Sequence, residues 1–120
     1  MKVQRLTNSA FEKIITGNIR SKEKCIIKLY SNECHLCHAL KKPFQDIADS
    51  FEELHFFAFN ADDYPDLPNI ISYNGVPTIL FVNTSQPDSI EIMADPPRKY
   101  SHKETWYHPE DIIKFIERNI

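Results

Sequence analysis

Residues 34–38 read Cys34-His35-Leu36-Cys37-His38, where an apolar stretch gives way to a helical pattern. Two thiols separated by two residues can close a small reversible disulfide. After a strand, that spacing reads as a redox pair. The same residues also spell the attachment signature of a c-type haem, with His38 as axial ligand and Met93 as a nominal second ligand. A metal held by Cys34, His35, Cys37 and His38 is a third chemistry. Neighbouring residues rarely ligate one tetrahedral ion, and no second ligand pair is evident. A second motif, Gly75-Val76-Pro77-Thr78, leads into Ile79-Leu80-Phe81-Val82. Haem leaves that motif unexplained, and the two motifs together, in this order, make thiol–disulfide exchange the first hypothesis. The third cysteine, Cys25, lies in an apolar run and reads as a buried small hydrophobe.

The elements that must position these residues follow from periodicity. Residues 2–6 suit a short first strand. Thr7, Asn8 and Ser9 are N-cap candidates for a helix carrying Phe11, Ile14 and Ile15, which Gly17 ends. Residues 25–30 are nearly continuously apolar, as in a central strand covered on both faces. A long helix starts at the cysteines, with Leu40, Phe44, Ile47, Ala48 and Phe51 in one stripe. Pro43 inside it should kink it. Residues 55–60 read as a third strand, and 62–72, with Pro65 and Pro68, as a short irregular helix. Residues 78–82 and 89–93 read as two strands joined by a turn over 83–88. A last helix begins around His108, Pro109, Glu110 and Asp111. Early alternation of strands and helices implies parallel pairing, and the late hairpin implies antiparallel pairing. The chain of 120 residues is expected to be one domain, residues 1–120. A net charge of −3 with scattered basic residues gives no footprint for nucleic acid. No run approaches the ~18 apolar residues of a membrane span. With no apolar leader either, a cytoplasmic location is expected.

With these residues in place, the chain resembles the thioredoxin superfamily over nearly its whole length. The matching residues are Cys34 and Cys37 after the 26–30 strand, Asn60-Ala61-Asp62, and Gly75-Val76-Pro77-Thr78. The resemblance implies an α/β thioredoxin fold, a mixed central sheet of about five strands flanked by about four helices. It implies Cys34 as the exposed nucleophile and Cys37 as the resolving thiol. It also implies a cis-proline at Pro77 and a Val76 backbone that pairs with an extended substrate beside Leu36. No bound cofactor is implied. Partners would be protein thiols and disulfides, and an upstream redox donor such as a reductase or glutathione.

Departures from the family shape the expected chemistry. Glu33 replaces the usual tryptophan, and His35-Leu36 replaces Gly-Pro or Gly-His. Lys28 stands where the family has a buried acid, Ala58 where thioredoxins often have its lysine partner, and Pro43 comes one residue late. The thiolate is the attacking species. A helix N-terminus, His35 when protonated, and Lys28 all favour it at Cys34, and Glu33 opposes them. A depressed Cys34 pKa and a potential nearer glutaredoxins or isomerases are expected. Without the family's acid, His38 or Lys28 becomes the candidate proton acceptor for Cys37. Residues 94–107 form a longer, more aromatic connection than thioredoxins have. Topology should hang it over Cys34, with Trp106 and Tyr107 as substrate contacts, unless Trp106 merely packs on the core. The expected function is thiol–disulfide exchange with protein substrates. The alternative is a redox-inactive binding module that uses the 94–107 loop.

Overall fold

The computed structural model describes residues 2–86 and 89–120. Pro87 and Asp88, in the expected turn over 83–88, lie outside the described residues, as does Met1. Among the described residues the sheet has five strands in the order β1-β3-β2-β4-β5. These are β1 (Gln4–Arg5), β2 (Lys24–Tyr30), β3 (His55–Asn60), β4 (Thr78–Asn83) and β5 (Glu91–Ile92). β3 pairs parallel with β1 and β2, while β4 pairs antiparallel with β2 and β5. The α-helices among the described residues are α1 (Asn8–Thr16), α2 (His35–Asp49), α3 (Leu67–Ile70) and α4 (Pro109–Asn119). This is the mixed α/β arrangement that the resemblance implies.

The apolar pattern decides the layers. Alternate residues of β2 feed two cores. Ile26 joins Leu40, Phe44 and Ile47 of α2 and Ile112, Phe115 and Ile116 of α4 on one face. Cys25, Ile27 and Leu29 join Phe11, Ile14 and Ile15 of α1 and Leu67 of α3 on the other. A strand covered on both faces has no polar side to show, which is why β2 reads as a continuous apolar run.

Local chemistry sets the helix ends. Thr7 Oγ1 accepts from the Ala10 N–H at 3.1 Å and caps α1. Gly17, at φ 70°, closes α1 in a left-handed turn, with its N–H and that of Asn18 donating to Ile14 and Lys13 carbonyls. α2 runs on through Pro43, whose missing N–H leaves the Ala39 carbonyl without its helical donor.

Candidate active site

Cys34 is the N-cap of α2. Its backbone is extended, and its sulfur accepts from the Cys37 N–H at 3.0 Å. The two cysteines are joined as a disulfide with Cα atoms 5.2 Å apart. One helical turn brings them this close, and it also makes them unequal. Cys34 is half-buried, whereas Cys37 faces the core at 1% exposure. Glu33, His35 and His38 are exposed, and Leu36 is half-buried between them. His38 Nε2 donates to the Asn32 carbonyl at 3.0 Å, which leaves Nδ1 as its acceptor when neutral.

Three polar residues, Asn32, Asn60 and Asp62, hold this turn in place. The Asn32 N–H donates to Asp62 Oδ2 at 2.9 Å, and Asn60 Nδ2 donates to Asn32 Oδ1 at 2.9 Å. Asn60 Oδ1 accepts from the Asp62 N–H at 3.0 Å. The loop after β2 is thereby tied to the end of β3. The available signal was an asparagine just after one strand and an Asn-x-Asp at the end of another, both turn chemistry.

Lys28 lies in β2, buried at 5% exposure, and lines a cavity of about 430 Å³ with Cys37, His38 and Lys41. Its Nζ stands 5.5 Å from the Phe44 ring centre and 5.9 Å from that of Tyr30. It has no hydrogen bond or ion pair among the described residues. Burial, and then the like charge of Lys41, lowers its pKa to about 8.

Across from the cysteines in the sequence, Val76–Pro77 is a cis peptide bond; Pro77 is buried and Val76 half-buried. Thr78 Oγ1 donates to the Gly75 carbonyl and closes the turn. Gly75 sits at φ 157°, where a Cβ would meet open space but a strained backbone.

The Thioredoxin family model matches residues 2–101. The chain belongs to the thioredoxin family. Similar solved structures include chloroplastic thioredoxin z, at 17% identity and TM-score 0.71, covering 98% of this chain and 94% of that one. The thioredoxin of Malassezia sympodialis gives 16%, 0.71, 98% and 93%. The J-Trx1 fragment of ERdj5 gives 18%, 0.71 and 98%, and this chain spans 50% of that fragment. At these identities the likeness carries the fold alone. A thioredoxin-family domain with a Cys-x-x-Cys pair closed as a disulfide supports a thiol–disulfide oxidoreductase type of function.

Against that family background, the 94–107 loop corrects one expectation. Tyr107 is not a surface contact: it is 1% exposed and belongs to the core that residues of α2 and α4 share with the sheet. A large ring within reach of an apolar core gains more by burial than by display. Its hydroxyl lies near Thr78 and Ile79 without a well-formed hydrogen bond, and burial, then Asp95, pushes its pKa up. Trp106 is half-buried and packs on the same core. It sits at φ 65°, inside a tight turn closed by reciprocal 3.0 Å backbone bonds with His102. His102 Nδ1 accepts from the Glu104 and Thr105 N–H groups at 3.1 and 3.3 Å. The start of the loop returns to the Pro77 end of the sheet, where Asn74 Nδ2 donates to Asp95 Oδ2 at 3.2 Å. Among the described residues no hydrogen bond joins the loop to residues 33–38.

The haem and metal chemistries gain no support from the packing. Met93 is buried in the same core as Tyr107. Among the described residues no three His, Cys, Asp or Glu side chains form a metal-binding group.

Proposed function

We propose that the protein exchanges disulfides with protein substrates through a reversible Cys34–Cys37 disulfide. The observation that supports this reading is the inequality of the pair: a half-exposed Cys34 capping α2, bonded to a buried Cys37. In the reduced protein the Cys34 thiolate attacks one sulfur of a substrate disulfide. A Cys34–substrate disulfide forms, and the other substrate sulfur leaves as a thiolate that takes up a proton. Cys37 then loses its proton and attacks the Cys34 sulfur. The internal disulfide closes, the second substrate thiol leaves, and two electrons have passed to the substrate. Oxidation of substrates runs the same steps backwards.

Each supporting residue has a part in this proposal. The free N–H groups at the start of α2 favour the Cys34 thiolate, and protonated His35 adds to them while Glu33 opposes. Lys28 and His38, which line the cavity with Cys37, are the candidate acceptors of its proton. Burial makes Lys28 usable as a base near neutral pH, as an ordinary lysine is not. Leu36, Val76 and Pro77 would form the surface that receives the substrate, and half-buried Trp106 is the remaining loop contact. Electrons would come from a reductase or from glutathione. A cytoplasmic setting is part of the proposal. Separately, no helix among the described residues is long and apolar enough to cross a membrane.

Equilibration in glutathione buffers of graded potential, followed by alkylation and intact-mass measurement, tests the reading. A single two-electron transition of Cys34 and Cys37 is expected, with Cys37→Ser trapping a substrate on Cys34. If no transition occurs at accessible potentials, the cysteines are incidental. The binding-module alternative then stands, and replacing both cysteines leaves biological activity intact.

A further inference from the structure

The cavity behind Cys37 has the makings of a second site. One cross-strand row creates it. Arg5 on β1 pairs in register with Ala58 on β3, and Ala58 pairs with Lys28 on β2, so the three share a face. Neighbouring strands stand ~4.8 Å apart, which separates the two cationic stems by about 10 Å. Only a methyl group fills the space between them. α2 covers the row with Cys37, Lys41 and Phe44. The resulting 430 Å³ lies within the usual size range for pockets that hold small organic molecules.

Its walls are apolar at Val3, Ala58 and Phe44, while Arg5, Lys28 and Lys41 bring positive charge and, among the described residues, no acid lines it. Arg5 donates from Nε and Nη2 to the Tyr30 hydroxyl at 2.9 and 2.6 Å, and keeps further N–H donors. Lys28 is the telling group. It is buried at 5% exposure, borders the cavity, and has no hydrogen-bonding or ionic partner among the described residues. A buried ammonium without a counter-ion is costly. An anion in the cavity supplies that counter-ion.

We propose that this cavity binds a small amphipathic carboxylate, with its carboxylate on the Lys28 ammonium and its apolar body against Val3, Ala58 and Phe44. Lys41 and Arg5 add attraction at the rim. Such a ligand sits against Cys37 and leaves Cys34 free. The site does not depend on disulfide exchange and stands or falls separately from it.

The test titrates 3-phenylpropionate, its neutral amide, and inorganic phosphate into the oxidised protein. Amide NMR shifts locate binding, and calorimetry gives affinity. The acid should saturate, with shifts centred on residues 28, 37, 41 and 58, and the amide should bind at least about tenfold more weakly. Lys28→Met should weaken the acid about tenfold or more. Ala58→Leu fills the cavity and keeps every charge, and should abolish saturation. Lys41→Ser, on an exposed helix face, should weaken binding a few-fold without touching the core. Amide dispersion checks the fold of each variant. Acid and amide binding alike, phosphate binding as tightly as the acid, shifts centred elsewhere, or undiminished binding to Lys28→Met would each overturn the proposal, as would no saturation at tens of millimolar.

Discussion

At Lys28 the fold bears a cost that depends on pH. The buried amine titrates at about 8, against the ordinary 10.5 of the unfolded chain. Between those values the unfolded chain holds more protons than the folded one, so stability rises with pH across that window. Below pH 8 the cost is present in full, on the order of 3 kcal/mol. Lys28→Met keeps the length and removes the charge. It should be more stable than the natural chain at pH 7 by up to that amount, with the gap closing towards pH 10. Cys25 contributes an opposite slope. Burial, then Glu23, pushes its thiol up to about 12 from 9.0, so stability falls with pH above 9. Cys25 is present in both proteins, and the difference between them cancels it. Urea unfolding at pH 7 and pH 9.5 measures the gap; an unchanged gap would mean that the amine is not held down by burial. A charge kept at such a cost beside Cys37 is the kind of local inconsistency expected at a working site.

Among the elements, how well the sequence could be read depended on how many neighbours each strand has. β3 was read as 55–60 and is His55–Asn60. It is flanked on both sides, so its apolar character and its ladder agree. The pattern predicts β1 over 2–6 and β5 over 89–93, yet the strands are Gln4–Arg5 and Glu91–Ile92. These are edge strands with a partner on one side, and pattern alone cannot say where a one-sided ladder stops. The cysteine turn and the start of α2 were legible because capping chemistry is local. The cavity was not, since Arg5 reaches Lys28 only through the order β1-β3-β2, which no local signal encodes. Tyr107 was misread for a similar reason: a loop residue's burial depends on which helix face passes beneath it. Its packing yields a sharp contrast. Tyr107→Ala should cost about 3–5 kcal/mol by opening a cavity. Tyr107→Phe should be neutral or stabilising by about 1 kcal/mol, because the lost hydroxyl has no well-formed hydrogen bond. Thermal unfolding of both variants checks this; a large loss in Tyr107→Phe would show that the hydroxyl is satisfied in solution.

Over the whole molecule, the two cores grade the three thiols by how much structure must open to reach each. Cys34 needs none, since it is half-exposed at the end of the sheet. Cys37 is buried but lies in the first turn of α2, which can fray once its disulfide is reduced. Cys25 sits in β2, hydrogen-bonded to β3 on one side and β4 on the other, with α1 residues over it. No partial opening of the edges frees it. Iodoacetamide added to the reduced protein should therefore label Cys34 at once and Cys37 more slowly. Cys25 should react only through global unfolding, and its raised pKa adds no shortcut. Urea separates the last two. The rate at Cys25 should climb with the full denaturant slope of unfolding, and that at Cys37 with a much shallower one. Intact mass against time, at several urea concentrations, reads both slopes. A third label arriving with the shallow slope would mean that the sheet opens locally between β2 and β4, and that the two cores do not unfold as one unit.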